Sequence, residues 1–160
     1  MGGKSAMLTF FDLATNFRYA MPCADKFADS TFASLQYMKG NTEFGRCYCD
    51  NHQSLMVALR DLRILHEPSQ QGVPQTNSRI ERCNGVIMDG TRATLANAGL
   101  PACFWPYAAQ CFCTLTNISY TPGEESAWCK LHGSEFIGER VPFGSHVFFK
   151  PSPTKYTVPK

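Results

Sequence analysis

Apolar residues in the first part of the chain change from strand-like to helix-like spacing. Residues 6–12 form a short apolar run and residues 17–23 alternate, so the pattern predicts two strands of a hairpin. Pro22 is expected to end the strand pairing, because proline has no N–H to donate to a ladder. Residues 25–38 then predict a helix that stops at Gly40. The apolar positions of this helix are Phe27, Phe32, Leu35 and Met38.

The middle of the chain predicts two short strands separated by a short helix. Residues 44–49 are strand-like and place Asp50 at their carboxyl end. Three leucines at helical spacing follow, and residues 63–66 indicate a second brief strand. The leucines are Leu55, Leu59 and Leu62. Residues 67–78 are polar and indicate a loop.

The longest helical pattern runs from Ser78 to Ala98, and Gly99 is its expected cap. Gly85 and Gly90 lie inside it, and each costs about 1 kcal/mol relative to alanine, so tertiary packing must compensate. The expected buried side consists of Ile80, Cys83, Ile87, Thr94 and Ala98.

A further helix is expected to begin at Pro101, because proline is favoured at the first position of a helix. Its expected core stripe is Phe104, Ala108, Phe112 and Leu115. Beyond residue 121 the pattern changes: residues 123–125 indicate a linker, and residues 141–153 indicate a short strand flanked by turns. We therefore expect one domain over residues 1–118 and a linker with a short, poorly structured extension over residues 119–160.

Composition narrows the class of protein. A hydrophobic share of 44% is ordinary for a globular chain, and no apolar run is long enough for a membrane span. The net charge of +2 is a weak footprint for nucleic-acid binding. The eight cysteines contain no Cys-x-x-Cys pair, and without a secretory leader we expect reduced thiols in an intracellular setting rather than a disulfide framework or a zinc site.

Two carboxylates stand where rigid elements meet loops. Asp50 follows a strand, and Glu81 lies in the first turn of the long helix. Two acids held in this way are what a metal-dependent phosphoryl-transfer site needs. Each residue also has a simpler interpretation: Asp50 as a cap of the following helix, and Glu81 as an acid favoured by the helix dipole.

The region from residue 74 to residue 108 carries a dense motif around Glu81. It begins Pro-Gln-x-Asn, continues Glu-Arg-x-Asn, and after a helix reads Gly-Leu-Pro and Phe-Trp. These residues resemble the catalytic core of copia-type retrotransposon integrases, of the RNase H-like superfamily. The matching positions are Pro74, Gln75, Asn77, Glu81, Arg82, Asn84, Arg92, Leu95, Gly99, Leu100, Pro101, Phe104 and Trp105. Ser78 departs from the usual Gly, while Asp50 and Asn51 match the family's central Asp-Asn.

The resemblance implies an α/β fold, with a mixed sheet flanked by helices, and three catalytic carboxylates that hold two Mg²⁺ (or Mn²⁺) ions. Asp50 and Glu81 match the second and third acids. The first would stand on a central strand, and Asp12 is the obvious candidate. Only 37 residues lie between Asp12 and Asp50, fewer than the family usually has, so we interpret Asp12 as a hairpin-turn residue. The chain is thus expected to begin after the first, central strand.

The resemblance also implies DNA as the partner, a possible homo-oligomer, a nuclear location if functional, and no membrane. Arg79, Arg82 and Arg92 would contact phosphates, or would form a solvated helix face, and Gln75 and Asn77 would shape the loop over the metals. The expected function is that of an integrase-core remnant, weak or inactive alone in Mg²⁺-dependent phosphodiester cleavage and strand transfer. The alternatives are a non-catalytic nucleic-acid-binding or interaction protein on the same scaffold, and a fragment of a longer polyprotein without independent function.

Overall fold

A computed structural model describes residues 3–40, 42, 44–69, 77–120 and 122–148. The chain order is strand, strand, helix, strand, helix, strand, helix, helix, helix, which confirms the predicted order and adds one helix at the end. The strands are β1 (Ala6–Phe11), β2 (Arg18–Cys23), β3 (Cys47–Cys49) and β4 (His66–Pro68). The helices are α1 (Ala28–Lys39), α2 (Gln53–Asp61), α3 (Ser78–Ala98), α4 (Trp105–Asn117) and α5 (Ala127–His132).

β1 and β2 form an antiparallel hairpin whose register runs from Ala6 opposite Cys23 to Phe11 opposite Arg18. The expectation that Pro22 ends the pairing is wrong, because Pro22 pairs with Met7 inside the ladder. The N–H of Asp12 bonds the carbonyl of Phe17 at 2.9 Å, so the backbone N–H and C=O groups of the even-numbered residues of β1 point toward β2. Pro22 therefore occupies a position whose nitrogen points away from β1, where proline is tolerated.

The turn of the hairpin is held by Asp12. Its carboxylate accepts hydrogen bonds from the N–H of Ala14, at 3.1 Å, and from the hydroxyl of Thr15. The N–H of Asn16 bonds the carbonyl of Asp12 at 2.9 Å, and Asn16 has a φ of 63°, a left-handed conformation that asparagine tolerates. These contacts confirm the interpretation of Asp12 as a turn residue.

β3 and β4 form a separate, parallel pair in the register Cys47 opposite His66 to Cys49 opposite Pro68. The α/β class is therefore confirmed, but the described strands lie in two two-stranded sheets rather than in one mixed sheet. β3 ends where expected but is shorter than the predicted range of residues 44–49, and β4 is displaced from the predicted residues 63–66. Periodicity marks apolar residues and not the residues that pair.

Two apolar clusters hold the fold together. The hairpin core joins β2, α3 and α4, and its buried members are Ala20, Cys83, Ile87, Ala109 and Cys113. The parallel-pair core joins α1, β3 and α2, and its buried members are Leu35, Cys49, Ala58, Leu59 and Ile64. β1 contributes to both, because alternate residues of a strand face opposite sides: Met7 and Phe11 meet the hairpin core, and Leu8 and Phe10 meet the parallel-pair core.

α3 has the bounds that its periodicity predicts, and Gly99 caps it with a φ of 63°. The two internal glycines differ. A β-carbon on Gly90 would lie 2.2 Å from the Phe112 ring of α4, so the absent side chain lets the two helices approach. A β-carbon on Gly85 would meet no atom within 4 Å. Packing therefore compensates for Gly90 but not for Gly85.

The segment after α4 packs against the hairpin through aromatic side chains. Trp128 of α5 stacks on His132 with ring centroids 3.9 Å apart, and its ring lies 6.3 Å from that of the buried Phe17. Ser126 is the N-cap of α5, and its hydroxyl accepts the N–H of Cys129 at 3.0 Å. The expected strand over residues 141–153 is wrong for residues 141–148, which form no strand, and the rest of it lies outside the described residues.

One apolar position of the helix predicted over residues 25–38 lies outside the helix that the structure shows. Phe27 precedes α1 as its N-cap residue and is 74% exposed, so it does not belong to the core. The helix begins at Ala28 because the N–H of Phe27 is held by the Asp25 carboxylate at 3.0 Å, in a local turn.

Candidate carboxylate pair and arginine pocket

Asp50 lies at the carboxyl end of β3, next to the buried Cys49, and its side chain is exposed. Its Oδ1 accepts the N–H of His52 at 3.4 Å. His52, not Asp50, is the N-cap of α2, and it makes no side-chain cap hydrogen bond. Asp50 therefore does not serve as the cap of α2, and its carboxylate faces solvent at the end of a strand.

Glu81 lies in the first turn of α3 and is exposed. Its N–H bonds the carbonyl of Asn77 at 3.0 Å, which closes the first turn of the helix. Asn84, one turn further along, accepts a hydrogen bond from the Thr9 hydroxyl on β1. This bond fixes the side of α3 that carries Glu81 relative to the hairpin.

The donor types of this pair suit a hard divalent cation, because Mg²⁺ is bound through carboxylate oxygens. Within the described residues, however, no three acidic, histidine or cysteine side chains come together as a metal site. Asp12 is engaged in the hairpin turn. Asp50 and Glu81 thus fit magnesium in chemistry, but the described residues do not make up a complete ligand set.

The three arginines of the Glu81 motif lie in different surroundings. Arg92 forms an exposed ion pair with Asp89 at 2.9 Å. Arg79 and Arg82 line a cavity of about 380 Å³ together with Arg18 of β2. The remaining lining residues are Phe11, Asn16, Cys83 and Val86.

Helix geometry separates this arginine pocket from Glu81. Residues three and four apart share a face of a helix, which explains why Arg79, Arg82, Cys83 and Val86 line one cavity. Glu81 is two residues after Arg79 and is therefore rotated by about 200° around the axis. Arg92, eleven residues after Glu81, returns to within about 20° of it. Arg79 consequently lies nearly opposite Glu81 on α3, whereas Arg82, the next residue after Glu81, is rotated from it by about 100°.

Sequence reasoning did not identify Arg18 or the residue that positions it, Asn117. The Asn117 side chain at the end of α4 accepts the N–H of Arg18 at 2.9 Å and donates to its carbonyl at 2.8 Å. Asn117 is 1% exposed, so the two bonds are shielded from water. The strand pattern marked Arg18 only as a polar position, and no local signal pairs residues so far apart in the chain.

The loop before α3 is described only at its end. Asn77 lies at the N-cap of α3, and its Oδ1 is buried without a hydrogen-bond partner among the described residues. Pro74 and Gln75 lie outside the described residues, so the expectation that Gln75 shapes a loop over metals stays a prediction.

All eight cysteines are free thiols. Burial raises the pKa of Cys113 to about 12. Burial also raises the pKa of Cys83, against the charge of the neighbouring Arg18, which lowers it. Cys47 accepts a hydrogen bond from Cys49, which lowers the pKa of Cys47 and raises that of Cys49. The buried thiols Cys23, Cys49, Cys83 and Cys113 are packing residues, whereas Cys103 is exposed. The described residues hold no zinc-type cluster.

The sequence is similar to part of a retrotransposon polyprotein. The retrovirus-related Pol polyprotein from transposon TNT 1-94 of Nicotiana tabacum is 38% identical over 72 residues, which are 45% of this chain and 5% of the polyprotein. No family model matches the chain. The chain thus spans a small part of this relative, and the residues they share confirm the resemblance to a retrotransposon protein.

Solved structures of retroviral integrases share the fold. A chain of the simian T-cell lymphotropic virus intasome, in complex with PP2A regulatory subunit B56 gamma, has a TM-score of 0.62 at 17% identity, over 91% of this chain and 58% of that one. The HTLV-2 integrase catalytic core domain in complex with magnesium, in its trimeric form, has a TM-score of 0.60 at 16% identity, over 79% of this chain and 84% of that one. The dimeric form of that domain gives 0.58 at 15% identity, over 79% and 83%.

These likenesses establish the architecture: the chain has the α/β fold of retroviral integrase catalytic cores. Across the part of the chain that the structure describes, no helix combines the length and apolar character needed to cross a bilayer.

Proposed function

We propose that this protein is an integrase-core-derived fragment that contacts DNA and that, alone, catalyses phosphodiester cleavage and strand transfer weakly or not at all. The origin is supported by the retrotransposon polyprotein that shares its sequence and by the integrase cores that share its fold. DNA as a partner is supported by the intasome among the structures of similar fold. A nuclear location follows from this proposal if the protein acts on chromosomal DNA.

The observation that carries the weak-activity proposal is the position of Asp12. Its two carboxylate oxygens bond the N–H of Ala14 and the hydroxyl of Thr15, so the side chain closes a turn. Asp50 and Glu81 remain as exposed acids at the ends of rigid elements. Divalent magnesium, when bound, supplies charge neutralisation and an activated oxygen nucleophile, and Asp50 and Glu81 are the residues that would hold it.

The structure supports only part of the role assigned to the arginines. Arg79 lies nearly opposite Glu81 on α3 and Arg82 is rotated from it by about 100°, whereas Arg92 lies on the Glu81 side but is paired with Asp89. We propose that Arg92 contacts DNA on the same face of α3 as Glu81, about 16 Å further along the helix, by exchanging its exposed partner for a phosphate, because exposed ion pairs contribute little stability. Arg79 and Arg82 would contact DNA from the arginine pocket.

Cleavage and strand-transfer assays with Mg²⁺ or Mn²⁺ test the proposal. The wild-type chain should show turnover close to background, and the double variant Asp50→Asn/Glu81→Gln should not lower it further. Robust wild-type turnover that this double variant abolishes would show a working active site and would refute the proposal. Asp61→Asn is a matched control, because it removes one exposed acid at the end of α2 without changing either candidate.

The second candidate is a non-catalytic nucleic-acid-binding protein that keeps the scaffold. The arginine pocket favours it, because three arginines line one cavity whose lining includes none of the candidate catalytic acids. DNA binding without turnover, unchanged by chelation of divalent metal, is the expected signature. Because integrase cores of the same fold have trimeric and dimeric forms, we also propose self-association of this chain, which sedimentation would detect.

The domain division proposed from sequence remains a proposal, with residues 1–118 as the integrase-like unit and residues 119–160 as an extension. The contact of Trp128 with Phe17 ties at least α5 to the hairpin. Deleting the segment from residue 119 should therefore lower the melting temperature without removing the fold.

A further inference from the structure

Three arginines from distant parts of the chain meet around one cavity. Arg18 comes from the start of β2, and Arg79 and Arg82 come from the first two turns of α3. The cavity, about 380 Å³ in volume, has room for a small anion and is lined by no carboxylate. The lining is thus positive on the strand side and on the helix side.

Arg18 is held in place at both ends. Asn117 fixes its backbone with bonds of 2.9 and 2.8 Å. Its guanidinium lies 5.7 Å from the centre of the Phe11 ring, its cross-strand neighbour, within the range of a cation–π contact. This preorganisation reduces the conformational entropy lost when the guanidinium binds a ligand.

The positive charge of the pocket is unbalanced. The ion pairs of the described residues involve Arg46, Arg60 and Arg92, and none of the three pocket arginines. Among the described residues the Nε of Arg18 is moreover buried without a hydrogen-bond partner, and the guanidinium interacts only weakly with the Cys83 thiol, a poor acceptor. A buried donor left unpaired costs about 1–3 kcal/mol, and like charges in one cavity repel, so an anion would relieve both costs.

We propose that the arginine pocket binds a phosphate group. Guanidinium forks match the geometry of phosphate oxygens in bidentate pairs, and three of them from two elements can surround a tetrahedral anion. Asn16 of the hairpin turn adds a neutral polar group to the rim. The inference rests on the proposed function for the source of the phosphate, which would be the backbone of DNA.

The pocket differs from the candidate catalytic site in position and in role. Its α3 arginines are rotated away from Glu81, Arg79 by about 200° and Arg82 by about 100°. A phosphate held there would position a strand without placing it on the carboxylates. Binding through this pocket is therefore expected to be independent of divalent metal.

Two titrations of the full-length chain test the pocket. In the first, inorganic phosphate is added and the arginine Nε–H resonances are followed by NMR; in the second, a labelled DNA duplex is titrated at several salt concentrations and followed by fluorescence anisotropy. The double variant Arg79→Gln/Arg82→Gln should weaken phosphate binding at least tenfold. For DNA it should also make the slope of log K against log salt less negative by about 2, one unit for each lost phosphate contact.

Arg60→Gln is the matched control, since it removes a guanidinium of the same charge that is exposed and paired with Asp61 on α2. Arg18→Lys keeps the charge but loses the planar fork, and it should weaken phosphate binding by a smaller factor than Arg18→Gln. Melting temperatures report whether each variant is folded. Because Arg79 and Arg82 are exposed, their substitution tests the pocket even if changes at Arg18 disturb the hairpin.

The outcomes separate this pocket from the proposed function. Loss of both phosphate and DNA binding in the pocket variants, but not in Arg60→Gln, supports both. Phosphate binding that the variants abolish, in a chain that does not bind DNA, supports the pocket with a free phosphate or phosphomonoester as its source and refutes DNA as the partner. Pocket variants that bind phosphate like Arg60→Gln overturn the pocket.

Discussion

The elements around the hairpin core (the hairpin half) and the elements around the parallel-pair core (the parallel-pair half) bury similar apolar clusters. Different polar contacts and ladder lengths stabilise the two halves. β1 and β2 pair over six residues each, whereas β3 and β4 pair over three. The hairpin is also joined to its helices by polar contacts, Thr9 to Asn84 and Arg18 to Asn117. The parallel pair has instead the exposed ion pair of Arg46 with Glu67, a type of contact that contributes little.

This difference indicates how each half is specified. Apolar burial holds elements together without fixing their register, since hydrophobic contacts are not directional. Buried hydrogen bonds fix one arrangement, because any other leaves polar groups unpaired. The hairpin half is thus expected to have one defined geometry, and the parallel-pair half to be the first to open.

The largest expected loss of stability comes from truncating one buried side chain in each core. Ile87→Ala in the hairpin core and Leu59→Ala in the parallel-pair core remove side chains that are both 0% exposed. Each should lower the free energy of unfolding by about 2–5 kcal/mol. Urea denaturation measures the loss, with the half-exposed Met88→Ala as control. If the parallel-pair half is locally less stable than the hairpin half, Leu59→Ala should also speed amide exchange in β3 and β4 while the amides of β1 stay protected. Equally fast exchange in all three strands would contradict this difference in local stability.

Removing the Asn117 side chain tests the polar contacts of the hairpin. Asn117→Ala leaves the N–H and the carbonyl of Arg18 without partners in a shielded place, which should cost about 1–3 kcal/mol. Thermal or urea unfolding measures the change. Thr114→Ala on the same helix is the control, because Thr114 is exposed and bonds only the carbonyl of Gln110, within its own helix. Equal losses in the two variants would show that the bonds to Arg18 contribute nothing specific.

The two glycines of α3 should respond with opposite signs. Gly90→Ala forces the Phe112 ring aside and should cost about 1–3 kcal/mol, as overpacking does. Gly85→Ala meets open space and should stabilise the protein by about 0.5–1 kcal/mol, because alanine restricts the unfolded chain and favours helix. Melting temperatures decide the signs. A stabilising Gly90→Ala would mean that α3 and α4 do not approach as closely as described.

The smallest expected effects are differences in thiol reactivity between the two halves. Cys47 and Cys49 belong to the parallel-pair half, and Cys113 belongs to the hairpin core. A lower pKa gives a larger thiolate fraction at a given pH, and the thiolate is the species that reacts. Cys47, whose pKa is lowered by the bond from Cys49, should therefore be alkylated by iodoacetamide before Cys49, whose pKa that bond raises. Cys113, with a pKa of about 12, should remain a thiol at pH 8. Peptide mapping across pH 7–9 checks the order, and early alkylation of Cys113 would contradict it.

Features with local causes were predictable from the sequence. The bounds of α3 follow from apolar periodicity and from a glycine that accepts a left-handed conformation, and both signals lie within the helix. Asp12 was recognised as a turn residue because its partners are two and three residues away. The motif around Glu81 identified the fold because fold and motif are inherited together.

Features that depend on pairing between distant segments were not predictable. Whether Pro22 interrupts a strand depends on which edge its nitrogen faces, and only the register decides this. Arg79 and Arg82 could be assigned to a helix, but their meeting with Arg18 requires the hairpin to pack across α3. The short strand expected within residues 141–153 is absent from the described residues 141–148 for the same reason, since an extended segment becomes a strand only beside a partner.

The two hydrogen bonds between the Asn117 side chain and the Arg18 backbone can form only late in the synthesis of the chain. The two residues are 99 positions apart, so the amide of Asn117 leaves the ribosome long after the hairpin has emerged. Until then the nascent hairpin lacks the bonds that orient its second strand, and closing so long a loop is slow because contacts of large sequence separation carry a high entropic cost. The geometry around Arg18 is consequently completed late in translation, and a chain terminated before α4 would never acquire it.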